Sequence, residues 1–461
     1  MRKVSRHNLI PEGSTYRSDT SDFLVSDNRD FHPTDVVEDA DGSILVVDTG
    51  GWYKLCCPTS QLPKPDVLGA IYRLRRKDAP RVDDPRGLSI AWNKQTADSL
   101  CELLADPRPA VRRRAQRQLV HTGSAAVDAL RRSVASIESR SHGPEVVWTL
   151  AQIDSEPARR AIRDAHFWSD PKTQRCAAWV MGNLRDTKSA ALLIRMLGAP
   201  SGTDARIAAM ALGRIGSTTA IPLLMSRLAG ETDRGLEHAL IYAAIETNDT
   251  ASLRPYLADP RLPVRRAAMI AIDQIDAKSL RPEDIVAALG SSDPALTSAA
   301  WWVSEQHLPW AESLAPQFQR LSQANDSKAL LAHLPAFAAE PATQRLMAEL
   351  LLDGNAHRDT RLAVLRSMSV KRPKPLPPVW REPLARALQS SDEDSINAAL
   401  DVIRPEGRNN VPRDFEPALN ALAGNEKLSP RLRLMAQSFL PPQRRRPVGR
   451  GHQSRCVPPR P

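Results

Sequence analysis

A stretch that occurs twice constrains the fold of this chain more than any other feature. Asp106–Leu119 reads DPRPAVRRRAQRQL, and Asp259–Ile272 reads DPRLPVRRAAMIAI. Both copies carry Asp-Pro-Arg, then Val-Arg-Arg, then Ala at matching places. A fixed period in segments with helical spacing predicts a mainly α fold, an α-solenoid of stacked helix pairs. The period is about 31 residues, because weaker relatives divide the distance between the copies and begin near Pro144, Pro171, Thr203 and Arg234.

Each repeat is predicted to consist of a helix A, a short turn and a helix B. Thr96–Ala105 is the first predicted helix A, and Ala110–Leu119 is the first predicted helix B. Val111, Ala115 and Leu119 face inward at four-residue spacing, and the small Ala lets neighbouring repeats approach closely. The pattern predicts about eleven helix pairs, with further A helices beginning near Ser124, Glu156, Lys188, Thr218, Ala251, Arg281, Ala311, Pro341, Trp380 and Phe415.

The first part of the chain lacks the repeat and has the pattern of β-strands. Asp35–Asp48 (DVVEDADGSILVVD) places an Asp-Gly turn between two β-type runs, which is typical of a hairpin. Ile71–Arg75 is predicted as a third strand. A small antiparallel sheet leaves an apolar face and its edges uncovered, so it is expected either to dock on the helices or to belong to a larger β-domain.

Two segments resemble a known family. Phe31–Arg76 resembles the last propeller blade of the planctomycete-type membrane-bound dehydrogenase-like, haem-binding proteins, and Asp233–Glu246 (DRGLEHALIYAAIE) resembles their helical region. The DxxxxxVR spacing of the repeat resembles that of HEAT repeats of the short, lyase-type class. The resemblance implies an exported or periplasmic protein with a sugar-dehydrogenase-like β-propeller, HEAT repeats and a c-type cytochrome domain carrying CxxCH.

The sequence departs from this family pattern at both ends. Roughly a single propeller blade precedes the helices. Val448–Gly451 resembles the entry to the cytochrome domain, but one Cys and no CxxCH follow it. Haem c is therefore not expected here, and a premature end or a shifted reading frame is one hypothesis. The predicted domains are a partial blade at 1–78, a linker at 79–94, a HEAT-like solenoid at 95–440 and a disordered basic tail at 441–461.

Adjacent Cys56 and Cys57 are the most unusual pair in the sequence. Neighbouring Cα atoms lie about 3.8 Å apart across a trans peptide, so a vicinal disulfide would close a strained ring. The alternative is two reduced thiols that point to opposite faces of a loop or strand. The sequence contains no CxxC and no Cys/His pair at zinc spacing.

The Asp and Arg residues of the repeated stretch allow a structural and a catalytic interpretation. Asp106 and Asp259 can cap free N–H groups in the turn, while Arg112 and Arg265 can reach an acid or a carbonyl of the next repeat. This repeat ladder is preferred to a catalytic Asp–Arg pair. The sequence also has no Ser-His-Asp elbow, P-loop or dinucleotide fingerprint, so no catalytic or cofactor-binding residue is predicted.

Three aspartates and one histidine are candidates for metal binding. Asp39, Asp41 and Asp48 flank a D-x-D-G turn, but a calcium loop needs six or more oxygens, and a blade turn is the preferred interpretation. His238 follows Glu237 on a B helix without a second His at metal spacing, so it is interpreted as structural. No metal ligand is predicted.

Aromatic and basic clusters bear on binding to flat ligands and to nucleic acid. Trp301 and Trp302, with Trp310 nearby, either form a stacking platform or, as we prefer, plug an irregular junction between repeats. The net charge of +10 and the pI of about 9.6 raise the question of an anionic partner. Arg112–Arg114 and Arg265–Arg266 could form a basic stripe, but they lack aromatic interleaving and acidic residues intervene. Nucleic-acid binding is therefore disfavoured.

Three hypotheses about function follow from the sequence. The preferred one is a non-catalytic, armadillo-like HEAT scaffold that binds a protein partner or another domain of a longer chain. The alternative is a fragment of a haem-linked, sugar-dehydrogenase-like oxidoreductase whose catalytic propeller and cytochrome c domain are missing. The third, which rests on the repeat type alone, is a phycobilisome-lyase-like activity. No apolar run is long enough to span a membrane, and the start lacks the apolar core of a signal peptide.

Overall fold

The computed structural model describes residues 2–50, 66–134, 142–230, 232–407 and 410–440. The chain divides into two compact units, Met1–Ile275 and Asp276–Pro461. Helices dominate both units, and the β-strands all precede the first α-helix in the described residues. The predicted fold class, a mainly α solenoid of HEAT-like helix pairs after a small antiparallel β segment, is confirmed.

The described strands are β1 (Lys3–Glu12), β2 (Thr15–Val25), β3 (Pro33–Glu38), β4 (Ile44–Asp48) and β5 (Ala70–Leu74). β3, β4 and β5 form an antiparallel sheet with β4 in the centre, as the Asp-Gly hairpin and the third strand predict. β1 and β2 form a separate antiparallel hairpin, in which Glu12 pairs with Thr15 near the tip and Lys3 pairs with Val25 at the base. The sequence analysis did not predict this hairpin, because the apolar residues of its strands do not alternate with polar ones.

The three-stranded sheet exposes apolar side chains on both of its faces. Val36 and Tyr72 flank Val46 on one face, whereas Val37 and Ile71 lie on the other, since successive residues of a strand point to opposite sides. Val46 is fully buried, but Val36, Val37 and Tyr72 are almost half exposed and Ile71 is 69% exposed. Part of the apolar surface of the sheet is therefore left uncovered by the rest of its unit.

In the first unit, A and B helices alternate along the chain. The A helices are α1 (Ala97–Leu103), α3 (Val127–Ser133), α5 (Glu156–Ile162), α7 (Ala190–Leu197), α9 (Ile221–Leu228) and α11 (Thr250–Leu253). The B helices are α2 (Pro109–Thr122), α4 (Gly143–Ile153), α6 (Pro171–Asn183), α8 (Gly202–Arg214), α10 (Arg234–Glu246) and α12 (Leu262–Ile275). Each B helix packs against the B helix of the next repeat, so the B helices form one continuous layer.

The second unit repeats this alternation with larger core side chains. Its A helices are α13 (Pro282–Leu289), α15 (Ala311–Gln323), α17 (Pro341–Leu352), α19 (Arg381–Leu388) and α21 (Glu416–Gly424). Its B helices are α14 (Pro294–Ser304), α16 (Ser327–His333), α18 (Arg358–Val370), α20 (Glu393–Ile403) and α22 (Pro430–Ser438). Phe318, Phe337, Trp380 and Phe415 are fully buried, whereas the B helices of the first unit bury mainly Ala, Leu and Val.

The predicted A-helix starts lie within three residues of the observed ones. The offset has a local cause. A short 3-10 turn precedes several A helices, such as Thr218–Ala220 before α9, and its residues belong to the same apolar pattern as the helix. Local periodicity therefore predicts the helices themselves better than the type of their first turn.

Two glycines allow the B helices of the first unit to approach closely. A Cβ atom on Gly182 would lie 2.7 Å from the Cα of Ala211, and one on Gly213 would lie 2.8 Å from the Cα of Ala243. Both distances are shorter than real Cβ contacts, and the obstructing atoms belong to the backbone. Small side chains on α6, α8 and α10 thus determine the spacing of the B-helix layer.

Candidate binding surface on the B helices

The two copies of the repeated stretch form the same turn. The backbone N–H of Arg108 donates to Asp106 (2.8 Å), and the guanidinium of Arg108 donates to both oxygens of that carboxylate (2.9 and 2.8 Å). Asp259 and Arg261 have the same three hydrogen bonds, at 2.9, 2.8 and 2.7 Å. The Arg261 guanidinium lowers the pKa of Asp259 to about 2. These turns are closed, ion-paired structures rather than open sites.

The structure changes the predicted partner of Arg112. Its guanidinium donates to the backbone carbonyls of Asp106 (2.8 Å) and Pro107 (3.2 Å), which belong to its own turn and not to the next repeat. Arg265, at the equivalent place in the second copy, is half-buried. The carboxylates of the two copies are bound by the Arg of Asp-Pro-Arg, and not by the Arg after Val. The expectation that Arg112 reaches the next repeat was therefore wrong.

Other residues form the ion pairs between repeats. Arg175 of α6 donates to Asp204 of α8 at 2.6 Å, and Arg266 of α12 pairs with Glu237 of α10. On the A-helix side, Arg131 pairs with the Asp164 carboxylate at 2.8 Å. The partners lie about one repeat apart in sequence, so a ladder of charges between neighbouring repeats does exist, but on residues other than those that the sequence analysis assigned to it.

The acidic turn of the β segment is occupied by arginines. Asp39 accepts hydrogen bonds from Arg86 and pairs with Arg73, and Asp41 pairs with Arg75. A hydrogen bond from the Ala40 backbone together with these arginines lowers the pKa of Asp39. Within the described ranges, no group of three or more His, Cys, Asp or Glu side chains is arranged to hold a metal ion.

Two further groups singled out from the sequence have different outcomes. Cys56 and Cys57 lie outside the described residues. Trp301 is buried and stacks on His333 with ring centroids 4.3 Å apart, as expected for a plug in the core, whereas Trp302 is 45% exposed.

No helix in the part of the chain that the structure describes has the length and apolarity needed to cross a membrane.

Four large side chains occupy the same place on four consecutive B helices. We call Trp148, Trp179, Met210 and Tyr242 the aromatic row; they lie on α4, α6, α8 and α10. Each lies six residues before a residue with positive φ that ends its helix, and these four residues are Asp154, Arg185, Gly216 and Asn248. Because the B helices pack side by side, the four side chains form a line across the layer.

The two ends of the aromatic row are open to solvent. Trp148 is 40% exposed and Tyr242 is 49% exposed, while the two middle members are half-buried. The Arg214 guanidinium carbon lies 4.4 Å from the centroid of the Trp179 ring, which is a cation–π arrangement. His238 stacks parallel on Tyr242 with centroids 6.2 Å apart. The row is thus a partly exposed aromatic surface flanked by cationic or titratable groups.

Free positive charge is concentrated at one end of the aromatic row. Arg117 of α2 continues the row, six residues before Gly123, and Arg113 lies one turn earlier on the same face. Both arginines are exposed, and among the described residues neither has a hydrogen-bond or ion-pair partner. In the middle of the layer Arg175 is paired with Asp204. The exposed arginines without an ion-pair partner in the described part of this surface therefore lie at α2, whereas Arg214 further along is engaged by the Trp179 ring.

The arginines of α2 and the aromatic row lie on neighbouring helices. The arginine runs themselves contain no aromatic residue, but Trp148 lies on the helix next to Arg117. Arginine and aromatic side chains thus come from adjacent helices and not from one stretch of sequence. The signal was available in the sequence, because Trp148 and Trp179 are separated by one repeat, and Tyr242 follows two repeats later.

The tip of the β1–β2 hairpin is bound to the same helix layer. Ser14 is fully buried, and its N–H and hydroxyl donate to the two carboxylate oxygens of Asp233 at 2.7 Å each. The Arg206 guanidinium donates to the Ser14 carbonyl at 2.8 Å. Gly13 has a φ of +57°, and a Cβ there would lie 2.6 Å from the Asp233 carboxylate. The tip is therefore closely fitted to the first turns of α8 and α10.

One family model and several solved structures are similar to parts of this chain. A family model described as HEAT repeats matches residues 168–245. The complex of CpcE and CpcF of phycocyanin lyase from Nostoc sp. PCC7120 is similar over 71% of this chain and 98% of that chain, with 18% identity and a TM-score of 0.23. Kap121p is similar over 74% of this chain, with 10% identity and a TM-score of 0.44, and the match spans 44% of its length. No curated protein matches the chain.

Proposed function

We propose that this chain is a HEAT-repeat scaffold, without a catalytic centre of its own, that binds an extended segment of a protein partner across its B helices. The aromatic row carries this proposal. Three of its four members lie within residues 168–245, which match HEAT repeats. Exposed aromatic side chains in a line are the kind of residue that dominates the free energy of protein association.

The dimensions of the aromatic row suit an extended segment. Packed helices lie about 8–10 Å apart, so three steps from Trp148 to Tyr242 cover about 24–30 Å. An extended chain spans about 3.3 Å per residue, so eight or nine residues would reach from one end to the other, roughly. Such a segment would cover all four repeats at once, and each aromatic side chain would add contact area to one continuous interface.

A selection of random peptides displayed on phage, with the full chain as the target, tests this function. The recovered peptides are expected to bind the double variant Trp148→Ala/Tyr242→Ala at least about tenfold more weakly, since each truncation removes an exposed aromatic contact at one end of the row. Trp302→Ala is the matched control, because Trp302 is equally exposed but lies outside the row. Recovered peptides that bind the double variant as well as the wild type would refute the proposed surface.

A second candidate function is supported by the β segment. Residues 31–76 resemble a propeller blade, and such a blade is covered on both faces by its neighbours. Apolar exposure on both faces of the β3–β4–β5 sheet favours a propeller-linked, dehydrogenase-like oxidoreductase of which this chain is one part. Under that hypothesis a separately produced propeller domain should bind the exposed sheet and slow amide hydrogen exchange in β3, β4 and β5. Unchanged exchange of these strands in the presence of such a domain would contradict it.

A further inference from the structure

We infer that the segment bound by the aromatic row is a polyproline II helix with an apolar or proline residue at every third position and acidic residues at the end that lies over α2. This inference rests on the proposed function and names the chemistry of its partner. It follows from the period of the row, from the hydrogen bonding of the surface and from the position of the free arginines.

The period of the aromatic row matches that of polyproline II. This conformation has three residues per turn and rises about 3.1 Å per residue, so it returns to the same face after about 9.3 Å. Neighbouring B helices are separated by about 8–10 Å. The side chains of a β-strand return to the same face after about 6.7 Å, so its first return falls short of the second member of the row and its second return, after about 13.4 Å, falls between the second and third members. The side chains of an α-helix return to the same face every second turn, after about 10.8 Å. This distance is longer than the spacing of the row, so the mismatch grows with each step.

The backbone of the B helices offers nothing to an extended strand. The N–H and C=O groups within α4, α6, α8 and α10 are used inside the helices, so an added β-strand would leave its own backbone groups without partners on this surface. A polyproline II segment makes no internal hydrogen bonds, and its backbone stays solvated. It can therefore bind through side-chain contacts alone, and aromatic rows such as Trp148, Trp179 and Tyr242 are the surfaces on which proline rings pack.

The charges favour an acidic end on the ligand and disfavour nucleic acid. Arg113 and Arg117 are exposed, and within the described ranges they have no partner, so they can pair with carboxylates over α2. A single-stranded nucleic acid needs positive charge along the whole groove. Beyond α2 fewer cations are available, because Arg175 is paired with Asp204 and Arg266 with Glu237, while Arg214 lies over the Trp179 ring.

Fluorescence anisotropy with defined peptides tests the inference on the full chain. The probes are fluorescein-labelled DEDPPLPPLPPL and LPPLPPLPPDED, since the direction of the bound segment is open. We expect one of them to bind, and Trp148→Ala/Tyr242→Ala to weaken binding at least about tenfold. Arg113→Glu/Arg117→Glu should weaken it about threefold to tenfold and reduce its dependence on salt. Trp302→Ala should leave the affinity unchanged, and circular dichroism checks that each variant is folded.

Three further probes would refute the inference if they bound the chain tightly. These are a scrambled peptide of the same composition, a strand-forming peptide of alternating Val and Thr, and labelled oligo(dT). Binding of any of them as tightly as the triplet peptides would overturn the polyproline II assignment. Phage-selected peptides that depend on the row but lack proline triplets would refute this inference alone. If no peptide depends on the row, the proposed function fails as well.

Discussion

In the first unit, the helical repeats bury their apolar side chains, whereas the β3–β4–β5 sheet leaves several of them exposed. In the repeats, residues such as Leu212 and Ala243 are fully buried between neighbouring helices. In the β3–β4–β5 sheet, Ile71 and Tyr72 point to opposite faces, and Ile71 is largely and Tyr72 almost half exposed to solvent. Each repeat supplies the cover for the next one, whereas a sheet has no such neighbour unless another element provides it.

This contrast indicates where a partner would cover apolar side chains that the chain leaves exposed and where it would bind on top of a finished core. A ligand of the B-helix layer meets a surface whose own core is already complete. A partner that packed on the sheet would instead bury side chains, such as Ile71 and Val37, that are exposed in the chain alone. The following changes test the contrast, beginning with the largest expected effect.

Truncation of a core residue in the repeats should cost far more stability than truncation in the sheet. Leu212→Ala removes a fully buried side chain from α8 and is expected to lower the free energy of unfolding by about 3 kcal/mol. Ile71→Ala should change it by less than about 0.5 kcal/mol, because that side chain is already exposed. Urea unfolding followed by far-UV circular dichroism measures both. A large loss for Ile71→Ala would mean that the sheet face is covered in solution.

Loss of the hydroxyl at the hairpin tip should free the hairpin without weakening the repeats. Ser14→Ala removes a hydrogen bond to the Asp233 carboxylate and is expected to cost about 1.5–2 kcal/mol locally. Amide hydrogen exchange should become faster over residues 3–25 and stay unchanged in α10, whose N-terminus Asp233 still caps. Ser18→Ala, on the exposed part of β2, serves as the control. Equal rates of amide hydrogen exchange in the Ser14→Ala and Ser18→Ala variants would show that the tip does not hold the hairpin on the helices.

The ion-paired turns of the repeats should make the free energy of unfolding depend on pH in the acid range. The folded pKa of Asp259 is about 2, below the value of the unfolded chain. The ionised form therefore stabilises the fold fully above about pH 4, and this contribution is lost as the pH falls from about 4 to about 2. Solvent screening limits it to about 1 kcal/mol. Asp259→Asn should flatten the acid limb of the stability curve, measured by urea unfolding at several pH values. Asp128→Asn, at an 82% exposed side chain, should not.

Much of the fold was predictable because the information is local. Apolar spacing placed the helix pairs, and the Asp-Gly turn placed β3 and β4. The β1–β2 hairpin was missed because its apolar residues do not alternate along the strands, and its tip is held by tertiary contacts. The hydrogen bonds that hold Ser14 connect it to Asp233 over 219 positions of the sequence. A local window does not contain such a contact.

The candidate surface was only partly predictable. The arginines of the repeated stretch were noted, but the structure assigns Arg112 to its own turn and leaves Arg113 and Arg117 exposed. Which arginine is free depends on the neighbouring carbonyls and carboxylates, and these are set by the turn geometry. Trp148 and Trp179 were not connected, because residues one repeat apart become neighbours only after the helices have stacked.

The sequence by itself determined that this protein is a helical repeat array with a small antiparallel β segment in front of it. It did so because helix formation and turn chemistry depend on residues a few positions apart. The tertiary structure alone decided that Trp148, Trp179, Met210 and Tyr242 form one line, that Ser14 is buried against Asp233, and that the sheet is exposed on both faces. These features depend on side-by-side packing of elements that are distant in the chain, and the small residues between the B helices set that packing.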